Sequence, residues 1–91
     1  MRCEWNGKKN QINIHRRGFD FADAEIVFEG ATFTFDDDRF DYGEERFITL
    51  GMFAGEVVVI AHTERGENVR IISMRKATKY EQRLYYDSFN D

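Results

Sequence analysis

At Gly30-Ala31 the hydrophobic period of this chain changes from helical to alternating, and that change limits what it can fold into. Before it, Phe21, Ala24, Val27 and Phe28 recur at helical spacing. After it, Thr32-Phe33-Thr34-Phe35 alternates with a period of two. The helical part opens with Asn6 as N-cap for a helix over Gly7 to Arg17, closed by Gly18 in the left-handed C′ position. Its inward side is expected to be Ile14 with Gln11 and Ile12, leaving Lys8, Lys9, Arg16 and Arg17 in water. Asp20 caps a second helix that reaches Glu29. The extended part predicts strands over Thr32–Phe35, Arg46–Met52, Glu56–Thr63 and Asn68–Arg75, with turns at Ala54-Gly55 and Arg65-Gly66. Arg2–Trp5 is long enough for one edge strand. Thr78 and Glu81 form a capping box for a last helix running to Phe89, with Tyr80, Leu84 and Tyr85 as its apolar stripe. Strands that follow one another through short turns pair antiparallel. The expected fold is therefore one α+β domain over residues 1–91, with an antiparallel four- to five-stranded sheet, two N-terminal helices and one C-terminal helix.

Composition removes several function classes. A single cysteine, Cys3, makes no internal disulfide and no zinc site, and reads as a small buried residue. The first residues, Met1-Arg2-Cys3-Glu4-Trp5, are too polar for a signal peptide, and no apolar run approaches a membrane span, so a cytoplasmic protein away from membranes is expected. The formal charge of −4 is unlike that of a free-standing nucleic-acid binder, but it is unevenly spread. Residues 1–18 hold five cations against Glu4, whereas residues 19–47 hold ten carboxylates against Arg39 and Arg46. Residues 62–83 are basic again, with six cations against three acids. A fold that joins the two basic ends would build a positive patch on an acidic protein.

A hairpin turning at Arg65-Gly66 would place His62 opposite Val69 and put His62, Ile60, Ile71, Ser73 and Arg75 on one face. Arginines bind phosphate oxygens bidentately and stabilise charge on a pentacoordinate phosphorus. Histidine moves protons near neutral pH, and RNA carries its own nucleophile in the 2′-hydroxyl, so neither metal nor cofactor is required. The ordinary alternative is a sheet surface in which His62 bonds across the strand end and Arg70 pairs with Glu45 or Glu64. Lys8, Lys9 and His15 on the first helix read equally as a solvated basic face. The acids Asp36, Asp37, Asp38 and Asp41 lack the spacing of a calcium loop and read as a solvated loop. Glu45 is either a general base or the ion-pair partner of Arg46 or Arg70.

The segments Gly43-Glu44-Glu45-Arg46-Phe47-Ile48-Thr49-Leu50-Gly51, His62-Thr63-Glu64-Arg65-Gly66 and Arg70-Ile71-Ile72-Ser73-Met74-Arg75-Lys76-Ala77-Thr78 together resemble the BrnT family of toxins. Glu4-Trp5, Asn10, Asn13, His15, Gly18, Phe21, Ala24 and Phe28 match as well, so the likeness spans about residues 3 to 81. Trp5-Asn6-Gly7 stands where a Trp-Asp-Pro is expected. The resemblance implies a RelE-like fold and a metal-independent ribonuclease that halts translation when free. It also implies a BrnA-type ribbon-helix-helix antitoxin, through which alone operator DNA would be bound. On this reading His62 carries the proton, Arg65 and Arg75 clamp phosphate, and Glu45 is base or orienter. Lys9, His15, Arg70 and Lys76 make further RNA contacts. The constellation depends on Arg65, Arg75 and His62 converging on one hollow. If they diverge, the hairpin is left as a docking surface for an acidic partner helix, in a non-catalytic binding module or an inactive toxin remnant.

Overall fold

A computed structural model describes residues 1–90. The elements follow in the order β1 (Arg2–Glu4), α1 (Gly7–Arg17), a 3-10 turn (Phe21–Asp23), α2 (Ala24–Glu29), β2 (Thr32–Asp36), β3 (Phe47–Phe53), β4 (Glu56–Arg65), β5 (Asn68–Lys76) and α3 (Lys79–Asp87). The local signals act as expected. The Asn6 side chain accepts from the Lys9 N–H, and Gly18 closes α1 at φ 80°. The Asp20 side chain accepts from the Ala22 N–H, although the second helix opens as a 3-10 turn before it becomes α-helical. Both arms of the Thr78–Glu81 capping box are formed, and α3 stops at Asp87 rather than Phe89. No helix among the described residues is long and apolar enough to cross a membrane.

Five strands form one sheet in the order β1-β5-β4-β3-β2. The last four are an antiparallel meander, but β1 lies parallel to β5, Cys3 opposite Val69. The sheet is thus mixed, which corrects the all-antiparallel expectation. Strand β1 is joined to β5 only through the rest of the chain, so no tight turn dictates its direction, and its pairing instead buries Cys3 in the core.

The sheet is covered on both sides. Phe21, Ala24 and Val27 pack with Val58, Ile60, Ile71 and Met74 on one face. Ala77 and Tyr85 pack with Ile48, Leu50, Val57 and Val59 on the other. The first face lies so close to α2 that a Cβ on Gly51 would fall 2.4 Å from the Val27 side chain. Helix α1 is fastened by asparagines. Asn10 accepts from the Phe21 N–H at 2.8 Å and donates to Asp20 at 2.9 Å. Asn13 donates to the carbonyls of Met74 and Phe19, each at 2.9 Å, and accepts from the Met74 N–H at 3.3 Å. Strand β1 pairs with β5 only at Asn68–Arg70, so the Asn13 carboxamide stands in for a neighbouring strand on the open edge beyond it. The inward side of α1 is therefore Asn10 and Asn13, while Ile12 and Gln11 are exposed. On α3, Tyr85 is buried and Tyr80 is exposed.

Candidate functional site

The β4–β5 hairpin decides which side chains can meet. Its two-residue turn is Gly66-Glu67, with Arg65 opposite Asn68. Gly66 takes the positive φ of 63° at the first turn position, where a type II′ turn accepts glycine. Placing Gly66 second, as the sequence reading does, puts the positive φ at the wrong position. His62 consequently faces Ile71, not Val69. A bulge follows: Ala61 pairs with Ser73, leaving Ile72 without a partner on β4. One extra residue reverses the face of everything beyond it. Arg75 therefore lies opposite Val59, on the α3 face, whereas His62 lies on the α1–α2 face. The convergence of His62 with Arg75 does not form, and the bulge is the reason.

His62 is closed in. It is only 5 % exposed, stacked on Phe47 at 5.8 Å between ring centres and edge-on to Phe28 at 5.2 Å. Its Nε2 lies 2.7 Å from Thr49 Oγ1, which lies 2.7 Å from Thr34 Oγ1. Nδ1 is buried without a partner. A buried lone pair costs less to leave unmade than a buried N–H. We therefore assign the proton to Nε2, which donates to Thr49, which donates in turn to Thr34. Burial lowers the His62 pKa from 6.5 to about 4, so the ring is neutral at pH 7.

The bulge gathers the arginines as it separates the histidine. Arg65, Arg70 (opposite Thr63) and Arg75 all lie on the α3 face. Arg70 sits level with Thr63, about 7 Å along β4 from Arg65 and about 13 Å from the Val59 position opposite Arg75. Arg65 reaches Glu44 only at 4.0 Å and Arg70 reaches Glu4 only at 3.9 Å, contacts too loose and exposed to engage either guanidinium. Arg75 is held differently. Two parallel bonds of 2.8 Å tie it to Glu81, whose pKa falls to about 2, chiefly because of those bonds.

The other expected residues are dispersed. Glu45 is exposed, and its main-chain carbonyl accepts from Thr63 Oγ1 at 2.7 Å, while the ion-pair partner of Arg46 is Glu44. Lys76 lies opposite Val58 with Glu56 at 3.8 Å. Lys9 and His15 are exposed on α1, away from the hairpin turn. In the acidic loop, Asp37 is buried and organises the segment: it accepts from Arg39 Nε at 2.8 Å and from Tyr42 at 3.2 Å, and its N–H donates to the Arg46 carbonyl. That role corrects the solvated-loop reading at this position. A buried aspartate beside Arg39 and Tyr42 has no periodic signature, so only the short spacing Asp37-x-Arg39 hints at it.

Residues 5–81 match the family described as ribonuclease toxin, BrnT, of type II toxin–antitoxin systems. A search of curated proteins finds no match to the chain.

Proposed function

The chain belongs to the BrnT family of ribonuclease toxins, and on that premise we propose that it cleaves RNA without a metal ion and so stops translation in a bacterial cytoplasm. The observation that supports this reading is the alignment of Arg65, Arg70 and Arg75 on one face of the sheet. Arg65 and Arg70 are free to bind successive phosphates. Arg75, oriented by Glu81, offers its charge to the phosphorane that forms when a 2′-oxygen attacks the adjacent phosphorus and the 5′-oxygen leaves. The product is a 2′,3′-cyclic phosphate. Glu45, exposed in the loop before β3 and joined through its carbonyl to Thr63 of the hairpin, is the proposed acceptor of the 2′-hydroxyl proton, and the departing 5′-oxygen takes its proton from water. The divergence of His62 from Arg75 removes the histidine-dependent mechanism expected from the sequence. The family match and the arginine row support the ribonuclease reading without it, and His62 acts as a neutral core residue. The antitoxin of the pair is proposed to be a BrnA-type ribbon-helix-helix protein that masks this face and carries operator binding.

Purified protein incubated with RNA in EDTA is expected to yield cyclic-phosphate ends, with loss of cleavage in Arg65→Ala and Arg75→Ala. Full activity in both variants removes the residue assignment, and abolition by EDTA removes the metal-free mechanism. One observation favours docking without catalysis: Arg75 already has its carboxylate partner. Normal growth of cells that express soluble protein alone supports that second reading.

A further inference from the structure

Six cations of the sheet and loops, Arg39, Arg46, Arg65, Arg70, Arg75 and Lys76, have a carboxylate within 4.0 Å, loosely at Arg65 and Arg70. Arg2 on β1 and Lys79 and Arg83 on α3 have none among the described residues. The cations of α1 likewise have none among the described residues. This one helix carries Lys8, Lys9, Arg16 and Arg17 and no acid, in a chain whose net charge is −4. Helix stability does not account for the pattern. Arg16 and Arg17 suit the negative C-terminal end of the helix dipole, but Lys8 and Lys9 occupy the first turn, where its positive end repels them and a carboxylate would stabilise.

The cations also border a hollow. Between α1 and β5 lies a cleft of about 290 Å³ lined by Lys9, Ile12, Asn13, Arg16, Arg17 and Ile72. Ile72 is the bulge residue, displaced from the ladder, and Ile12 is 46 % exposed. Lys9 and Arg16 are seven residues apart, about 10.5 Å along the helix axis. The hollow is thus cationic on its helix side and apolar at two points, without a competing carboxylate in its lining. The geometry points to a groove for a single-stranded RNA backbone, separate from the arginines on the α3 face. Lys9, Arg16 and Arg17 take phosphates, and the isoleucines offer apolar surface to a base. The groove rests on the ribonuclease reading for the identity of its polyanion. It adds that RNA is held on two sides of β5, so that binding and cleavage depend on different residues.

The test is binding of a fluorescent, fully 2′-O-methylated 20-nucleotide RNA, which lacks the nucleophile, measured by anisotropy across salt concentrations. The full chain is compared with Lys9→Gln/Arg16→Gln/Arg17→Gln and with a Lys79→Gln/Arg83→Gln control on α3. All five residues are exposed, so the variants should fold. The triple variant is expected to lower the slope of log affinity against log salt by about 2, from three phosphate contacts at about 0.7 each, while the control leaves it nearly unchanged. An unchanged slope and affinity in the triple variant, or an equal loss in the control, overturns the groove. Retained RNA affinity with lost binding of a purified antitoxin also overturns it, by making the cleft a protein site. A wild-type chain that binds this RNA through the groove yet cleaves no unmodified RNA sinks the catalytic reading and leaves the groove standing.

Discussion

Replacing His62 with glutamine tests whether the histidine is core or chemistry. A buried imidazole that must stay neutral penalises the folded state as soon as the unfolded chain begins to take up a proton. With a folded value of about 4 against an ordinary 6.5, the unfolded state binds more protons between those limits, so stability falls as pH drops from 6.5 and levels off below 4. At pH 7 the penalty is a few tenths of a kcal/mol, and at pH 5 it reaches about 2 kcal/mol. Other groups also titrate on the acid side. Glu81 has a depressed value, so its stabilisation, full above its ordinary 4.5, is lost as pH falls towards 2. Comparing the two proteins removes these shared terms. Glutamine has no titrating group and its amide can still donate to Thr49. Urea unfolding at pH 7 and pH 5 should therefore show the wild type losing about 2 kcal/mol more than His62→Gln between the two conditions. Equal losses would refute the reasoning. They would mean that the ring titrates as in water, open enough to move a proton to RNA.

Four further substitutions probe the scaffold. Gly51→Ala should cost about 1–3 kcal/mol in urea unfolding, because its methyl meets the fully buried, β-branched Val27 where α2 crosses β3. Asn13→Ala should cost about 2–4 kcal/mol, since it leaves the Met74 N–H and carbonyl unpaired at a covered sheet edge, and amide exchange at Met74 should quicken. Asn13→Asp should cost a similar amount, because a carboxylate cannot donate to the two carbonyls. Glu81→Gln should cost about 1 kcal/mol by weakening the α3 cap, and should flatten the acid limb of the stability profile below pH 4.5. If that variant keeps wild-type stability at pH 7, the cap does not hold α3.

The asparagine result shows how burial can invert an apolar-stripe reading. Ile12 and Ile14 are the hydrophobic residues of α1, yet the helix docks through Asn10 and Asn13. Carboxamides have no helical apolar period, and what draws them inward is unpaired backbone on β5 and after Gly18, which belongs to other parts of the chain. Similarly, both sides of β4 and β5 are apolar, so alternation alone admits registers of either parity. Expected pairings of His62 with Val69 and of Ile60 with Ile71 satisfy the pattern as well as the actual ones.

The chain's own neighbours in sequence determined the elements and their ends. Asn6, Gly18, Asp20, Thr78 with Glu81, and the turn at Ala54-Gly55 act through hydrogen bonds or φ values that reach only a few residues, so they can be read without a fold. The tertiary structure alone decided the parallel seat of β1, the burial of His62 beneath Phe28 and Phe47, and the bulge at Ile72 that carries Arg75 to the other side of the sheet. Those outcomes depend on filling two apolar layers at once and on satisfying the open edge of β5, and both are set by contacts between residues far apart in the chain.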